Sequence, residues 1–193
     1  MLKIEKVEVV GWEHAIRGMR NPMNSWEKSD SEWVPQFDTV QGPVAGKFII
    51  GPNDYALMKK LRKAGTDHRK FMRMITVYLD ITAPMYWWKE FDTYMVGTVV
   101  NSYSTMHKIH EKEFTINDFS HEHLLKTHKT PDGSTFLGGY SETLKMIVDD
   151  LNYEVLANIY ESRKDHKLDE WHTFCHWIEE LPYSELITGY EEE

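Results

Sequence analysis

Residues 75–81 alternate between apolar and polar side chains, and this pattern restricts the folds available to this chain. Its odd-numbered positions are Ile, Val or Leu and its even-numbered positions are Thr, Tyr or Asp, a pattern typical of a strand with one apolar face. A strand of this kind is stable only within a sheet. Apolar residues at helical spacing occur elsewhere, in residues 54–64 and 168–180. Because strands and helices are mixed without regular alternation, we expect an α+β fold.

Length and charge exclude several classes of protein. The 193 residues suffice for one domain with its own core, which we expect to span 1–193. The sequence has no run of about 18 apolar residues, so no membrane-spanning helix is predicted. Its 22 basic and 31 acidic residues give a net charge of −9, which argues against a nucleic-acid-binding surface. The single cysteine, Cys175, excludes an internal disulfide and favours a reducing, cytoplasmic location.

Several local patterns predict further elements. We expect a strand over 2–10, a helix over 12–19 and an irregular loop over 21–44 that its aromatic residues hold in place. Asn53 is the expected cap of the helix over 54–64. Ala83-Pro84 is expected to open a helix that runs to residue 94. Near the end of the chain, apolar spacing predicts a long helix over 141–163.

Two groups of residues have both a structural and a functional interpretation. The ten histidines include His172 and His176, one helical turn apart, but no third ligand is fixed by spacing, so solvated histidines are favoured over a metal site. The aromatic cluster around Trp88 could stack on a planar ring such as a flavin, which makes Trp88 a cofactor candidate. Large aromatic residues at helical spacing more often form a core or a subunit interface.

Three polar residues share a sector of the predicted helix over 141–163. Asn152, Asn158 and Arg163 fall within about 140° of one another around an ideal helix. Arginine offers a planar fork to a phosphate or a carbonyl edge, and asparagine pairs a donor with an acceptor, as a pyrimidine edge does. Spacing alone favours the simpler interpretation of a solvated helix face with Arg163 near its C-terminus.

Two stretches, 57–106 and 152–163, resemble the flavin-dependent thymidylate synthases of the ThyX type. That family has a helix ending in glycine, a strand, a helix opened by Ala-Pro, an N-x-x-S turn and an N-x5-N-x4-R helix. Here Gly65 ends a helix, residues 101–104 reproduce N-x-x-S, and the three polar residues reproduce the last motif. The resemblance implies a twisted, mostly antiparallel sheet with packed helices, assembled as a homotetramer with sites at subunit boundaries.

The resemblance also implies roles for individual residues. Asn101, Ser102, Ser104, Asn152 and Asn158 would bind a deoxyuridine nucleotide such as dUMP, with Arg163 as the catalytic residue at the pyrimidine. FAD would be the cofactor, with His68 as the nearest histidine before the strand.

This sequence departs from the family at several positions. Thr93-Tyr94-Met95 stand where the family has the flavin-binding R-H-R motif. Met106 replaces a phosphate-binding arginine, and His107 is the candidate substitute. Losing two arginines from a diphosphate site removes charge-assisted bonds of about 1.5–3 kcal/mol each.

Three functions therefore remain open at the level of sequence. The first is a relative of ThyX that keeps a dUMP-like nucleotide pocket, with FAD-dependent methylation of dUMP as its possible reaction. The second is a non-catalytic protein that binds or sequesters a nucleotide, as a bacteriophage or regulatory protein would. The third is a structural oligomer whose pocket is filled by side chains. Flavin absorbance and nucleotide-dependent thermal stability separate the three.

Overall fold

The alternating segment of the sequence is a central strand of an antiparallel sheet. The computed structural model describes residues 2–38, 42–94, 97–102, 113, 119–120, 127–129, 135–137 and 141–190. Within these residues the strands are β1 (Lys3–Val10), β2 (Glu32–Asp38), β3 (Gly42–Ile49), β4 (Thr76–Pro84), β5 (Val99–Ser102), β6 (Phe119–Ser120), β7 (Thr127–Lys129), β8 (Thr135–Leu137) and β9 (Ser141–Asn152). The helices are α1 (Trp12–Arg20), α2 (Pro52–Lys63), α3 (Met85–Phe91), α4 (Tyr153–Arg163), α5 (Asp169–Glu179) and α6 (Glu185–Thr188).

All strand pairings in the described residues are antiparallel. The main sheet has the order β1-β4-β9-β5, with β6 also paired to β9, while β2–β3 and β7–β8 form separate two-stranded pairs. Helices and an antiparallel sheet in one chain confirm the expected α+β class. No helix of the described residues is long and apolar enough to cross a lipid bilayer.

The core joins the apolar face of β4 to aromatic residues of α3 and α5. Ile75 and the alternate residues of β4 that follow it are buried, as the sequence pattern predicts. Trp87 of α3 stacks on Phe91 at a ring distance of 4.8 Å and contacts Trp171 of α5 at 4.9 Å. These large rings fill the space between the sheet and the C-terminal helices.

The long helix expected over 141–163 is wrong in its first half. Residues 141–152 form β9, which pairs with β4 on one side and β5 on the other, and α4 begins only at Tyr153. Ala83-Pro84 ends β4 and Pro84 is the N-cap of α3, so the helix expected after these residues begins at Met85, and a 3-10 helix at Asp92–Tyr94 continues it to residue 94. Strand pairing decides the structure of residues 141–152, because a sheet neighbour can override the helical tendency of a local pattern.

The segment after α1 is not the irregular loop expected over 21–44, and polar contacts hold it together with one aromatic residue, Trp33, which contacts Phe48 and donates a hydrogen bond to Glu13. It forms short 3-10 helices at Asn21–Met23 and Trp26–Lys28 and then the β2–β3 hairpin. Trp26 and Trp33 are 50% and 58% exposed. The Asp30 carboxylate accepts hydrogen bonds from the backbone N–H groups of Asn53 and Asp54, so Asp30 caps α2, the role predicted for Asn53.

Candidate functional site

A cavity of about 500 Å³ opens at the N-terminus of α4. It lies where the end of β9, the first turns of α4, the 3-10 helix Arg69–Met74 and the 3-10 helix Asp92–Tyr94 meet. Its lining residues are Arg73, Thr93, Tyr94, Gly97, Asn152, Glu154, Val155 and Asn158. The structure therefore brings two of the predicted nucleotide-binding residues, Asn152 and Asn158, to one cavity.

Asn152 is the N-cap of α4. Its side-chain oxygen Oδ1 accepts hydrogen bonds from the backbone N–H groups of Glu154 and Val155, each at 3.1 Å. Two N–H donors on one oxygen fix the orientation of the carboxamide. The acceptor of Asn152 is therefore used within the protein, and its NH2 group is the donor that it can offer to the cavity.

Asn158 is oriented in the same way, six residues further along the chain. Its Oδ1 accepts a hydrogen bond from Nη2 of Arg69 at 3.2 Å. Since a guanidinium can only donate, this contact also leaves the NH2 group of the carboxamide for an external partner. Asn158 is an exposed residue of α4, so a ligand in the cavity can reach it.

The charges around Glu154 make this region locally positive. The buried Glu154 carboxylate pairs with Arg73 through a short contact to Nε and lies 3.6 Å from Nε of Arg69. The hydrogen bond and the charge of Glu154 raise the pKa of Arg73, which keeps its guanidinium charged. Two guanidinium groups against one carboxylate leave one net positive charge beside the cavity.

Arg163 lies behind the cavity lining, in contact with Tyr94. Its Nε donates a hydrogen bond to the Tyr94 hydroxyl at 2.9 Å, and its Nη1 is 3.4 Å from the Glu90 carboxylate. The guanidinium also lies over the Trp171 ring, 4.9 Å from its centroid. Arg163 thus orients Tyr94, and Tyr94 retains a hydroxyl proton to donate.

Asn101 and Ser102 are far from the cavity within one chain. Asn101 pairs with Ile147 of β9. Ile147 is five residues before Asn152, a separation of about 17 Å along an antiparallel strand. Both residues are exposed on β5. Ser104 and His107, the other candidates of this turn, lie outside the described residues.

The two cofactor candidates also lie apart from the cavity. Trp88 is 1% exposed and packs edge-to-face against Trp87 and Phe91, so its ring is part of the core of a single chain. His68 is exposed and precedes the 3-10 helix Arg69–Met74, but it is not among the residues lining the cavity. Of the described residues, no three His, Cys, Asp or Glu side chains lie close enough to hold a metal ion.

Sequence reasoning missed Arg69, Arg73, Glu154 and the cavity role of Tyr94. Arg69 and Arg73 are four residues apart just before β4, a pairing of cations that could have been noticed as a charged patch. Their joint partner Glu154 is more than 80 residues away, and no local signal reports such a contact. Cys175 is buried as expected, and burial raises the pKa of its thiol to about 12.

We expect Asn152→Ala to lower the free energy of unfolding by about 1 kcal/mol, because two N–H groups of α4 lose their cap. Asn152→Asp is the matched control, since its carboxylate keeps the capping oxygen and should retain most of the stability. Urea denaturation of the three proteins measures the difference. Equal stability of Asn152→Ala and the unchanged chain would contradict the capping role.

Comparison with known proteins identifies the fold. No protein-family model matches this sequence, and no curated protein matches it either. Two solved structures of the flavin-dependent thymidylate synthase ThyX from Helicobacter pylori, each with FAD and dUMP, align with TM-scores of 0.61 and 0.62 at 13% identity. The alignments cover 97% and 98% of this chain and 100% and 98% of those chains. The chain therefore has an α+β fold similar to that of the flavin-dependent thymidylate synthases.

Proposed function

We propose that the cavity at the N-terminus of α4 binds a uridine-type nucleoside monophosphate such as dUMP. The observation that carries the proposal is the orientation of Asn152 and Asn158, whose oxygens are both occupied within the protein. Both residues line the same cavity as Tyr94, so their NH2 groups are the donors left for a ligand there. The fold adds support, since the two structural neighbours are complexes with FAD and dUMP.

A cavity lined with donors selects a ligand rich in acceptors. Uracil presents two carbonyl oxygens, and each could accept from a carboxamide NH2 group or from the Tyr94 hydroxyl. Arg163 does not touch the ligand in this arrangement, because it holds the Tyr94 oxygen through Nε and leaves the hydroxyl proton pointing elsewhere. Arg163 is then a positioning residue for Tyr94.

The phosphate of the nucleotide is assigned to the side of the cavity that Arg73 lines. Arg73 has a side chain that is 57% exposed and keeps its charge through its pairing with Glu154. The excess positive charge of the Arg69, Arg73 and Glu154 group favours a phosphate there. Because Arg73 must share its guanidinium with Glu154, we expect the cavity to bind the nucleotide with moderate affinity.

FAD fits the described residues less well than a mononucleotide does. Its diphosphate carries two negative charges, whereas the Arg69, Arg73 and Glu154 group supplies one net positive charge and Arg163, behind the lining, is paired with Glu90. We therefore derive no step through a flavin and favour nucleotide binding without methyl transfer. Asn101 and Ser102 would join the site only from a second copy of the chain, as in the homotetramer that the resemblance implies.

We expect saturating dUMP to raise the melting temperature, because a ligand at 100 times its Kd adds about 2.7 kcal/mol to stability. Asn158→Ala removes one donor and should weaken dUMP binding by about three- to tenfold. Asn53→Ala is the matched control, an exposed asparagine on α2 that does not line this cavity. Isothermal titration of the three proteins with dUMP measures the change.

Two results would contradict the proposal. One is the absence of any dUMP-dependent shift in melting temperature, and the other is equal weakening by both asparagine variants. Flavin absorbance in the purified protein, together with FAD-dependent formation of thymidylate, would instead favour the methylation of dUMP.

A further inference from the structure

A cleft of about 600 Å³, here called the α1–α2 cleft, is separate from the cavity at α4. Its volume is within the usual range for small-molecule sites. The end of α1, the two 3-10 helices that follow it and the first half of α2 form its walls. Its lining residues are Arg20, Met23, Ser25, Lys28, Asn53 and Leu57, and none of them lines the cavity at α4.

The charged residues that line the α1–α2 cleft are both cations. Lys28 is exposed and has no ion-pair partner among the residues that the structure describes. Arg20 is 5% exposed and pairs with the carboxylate of Asp54, which does not line the cleft. Two cations against one carboxylate leave one net positive charge, so the cleft favours an anion.

Two further carboxylates are close in sequence to these residues, but neither lines the cleft. Both oxygens of Asp30 accept hydrogen bonds from backbone N–H groups at the N-terminus of α2, where the helix dipole places partial positive charge. Glu27 is exposed to solvent, and so is Arg17, a cation on α1 that offsets its charge. The preference for an anion therefore remains when these neighbours are included.

The Arg20 guanidinium keeps a donor for a ligand. Its Nε donates to Asp54 at 2.5 Å, and its Nη1 donates to the backbone carbonyl of Ser25 at 3.3 Å. Nη2 makes no hydrogen bond within the described residues, and it is not one of the buried atoms left without a partner, so it is accessible. Because the rest of Arg20 is buried and the residue lines the cleft, Nη2 faces the cleft.

Ser25 adds a hydroxyl to the same wall of the cleft. The residue is 6% exposed, and its Oγ is buried with no hydrogen-bond partner among the described residues. Buried polar groups of native proteins nearly always have a partner, so this hydroxyl is suited to an acceptor supplied by a ligand. It is next to Arg20, whose Nη1 is bonded to the backbone of Ser25.

The remaining lining side chains offer an apolar surface. Met23 is 52% exposed and Leu57 is half-buried, and both line the cleft. An apolar chain attached to the anion would cover part of this surface and remove it from water. The flexible side chain of a methionine adapts to chains of different shape.

We propose that the α1–α2 cleft binds a small monocarboxylate with an apolar chain. The carboxylate accepts from Nη2 of Arg20 and from the Ser25 hydroxyl, close to the ammonium group of Lys28. Its chain packs on Met23 and Leu57. One net positive charge matches one carboxylate, whereas a phosphate monoester brings nearly two negative charges. The proposal is independent of nucleotide binding at α4, because the two sites share no lining residue.

The test is a ligand-observed NMR titration of the full chain with 4-phenylbutyrate at about pH 7.5, where the carboxylate is ionised. 4-Phenylbutyramide has the same chain without the charge, and phenyl phosphate replaces the carboxylate by a phosphate. We expect saturable binding of 4-phenylbutyrate, about tenfold tighter than that of the amide. Saturating dUMP should leave this binding unchanged, because dUMP is assigned to the other cavity.

Matched variants assign the binding to the α1–α2 cleft. Lys28→Gln and Ser25→Ala should each weaken 4-phenylbutyrate binding by about three- to tenfold. Lys167→Gln and Ser162→Ala are the controls, since both residues are exposed and neither lines the cleft. Ser25→Ala should keep the melting temperature of the unchanged chain, because the hydroxyl that it removes has no partner among the described residues.

Several results would overturn the proposal. They are no binding of 4-phenylbutyrate, equal or tighter binding of the amide, tighter binding of phenyl phosphate, and equal effects of the test and control variants. Displacement of 4-phenylbutyrate by dUMP would also overturn it, since the carboxylate would then occupy the cavity at α4.

Discussion

We expect Asp54→Ala to lower the free energy of unfolding by about 3–5 kcal/mol, because it leaves the buried Arg20 guanidinium without a counterion. Asp54 is fully buried and lies 2.5 Å from Nε of Arg20. Its other oxygen accepts hydrogen bonds from the hydroxyls of Ser29 and Ser31, both at 2.6 Å. One carboxylate therefore joins α1, α2 and the segment between α1 and β2.

Chemical denaturation of Asp54→Ala and of the unchanged chain measures this effect. Asp67→Ala is the control, since the side chain of Asp67 is 90% exposed and such substitutions usually change stability by less than about 0.5 kcal/mol. The double variant Arg20→Met with Asp54→Leu should regain part of the loss, because no buried charge is left unpaired. A loss below about 1 kcal/mol for Asp54→Ala would contradict a structural role for the pair.

The same carboxylate predicts a pH dependence of stability. Burial by itself would raise the pKa of Asp54, but hydrogen bonds from Ser29, Ser31 and Arg20 lower it below its ordinary value of 3.8. A carboxyl group with a lowered folded-state pKa contributes stability above that ordinary value and loses it as the pH falls toward the folded-state pKa. Acid denaturation of the unchanged chain should therefore include a component below about pH 4 that Asp54→Ala lacks.

Local patterns in the sequence were sufficient to predict those elements whose type does not depend on a distant pairing partner. The α1 helix before Asn21-Pro22 and the α5 helix lie within a residue of their predicted positions, and β4 has the predicted apolar face although it runs three residues past 81. Each has a period that only one type of element can satisfy, together with a boundary residue that ends it. The α+β class follows from these elements alone.

Residues 141–152 could not be assigned from the sequence in the same way. Apolar residues at positions 144, 147, 148 and 151 fit a helical stripe, yet they belong to the strand between β4 and β5. The pairing partners on β4 and β5 are 44 to 76 residues away, so the sequence near residue 147 does not contain the deciding contact. The local signal that was available is Asn152, a favoured N-cap residue followed by the acidic Glu154.

Some residues of the candidate site could likewise be predicted from the sequence, and others could not. Asn152 and Asn158 could be found because both belong to one short motif at the start of one helix. Arg73 and Tyr94 reach the cavity from other elements, and only the fold brings them there. The resemblance implies direct contact between Arg163 and the ligand, whereas in this structure Arg163 contacts Tyr94, which itself lines the cavity. Whether Arg163 or its neighbour Tyr94 lines the cavity depends on how the side chains pack, and spacing along a helix does not report packing.

Trp88→Ala should also lower the free energy of unfolding by about 3–5 kcal/mol, since it leaves a large void in a fully packed aromatic core. The milder Trp88→Phe keeps a ring between Trp87 and Phe91 and should cost about 1–2 kcal/mol. Urea denaturation measures both values, with Trp26→Ala as the exposed control.

The binding of ligands to Trp88→Phe separates the core role from the cofactor role that the sequence suggested. A buried residue of the core affects a ligand only through global stability, so this variant should bind dUMP as the unchanged chain does at a temperature where both are folded. A residue that stacks on a flavin would show the reverse, with unchanged stability and weaker flavin binding. Because Trp88 is 1% exposed and its ring contacts two neighbouring rings, we expect the loss to appear in stability.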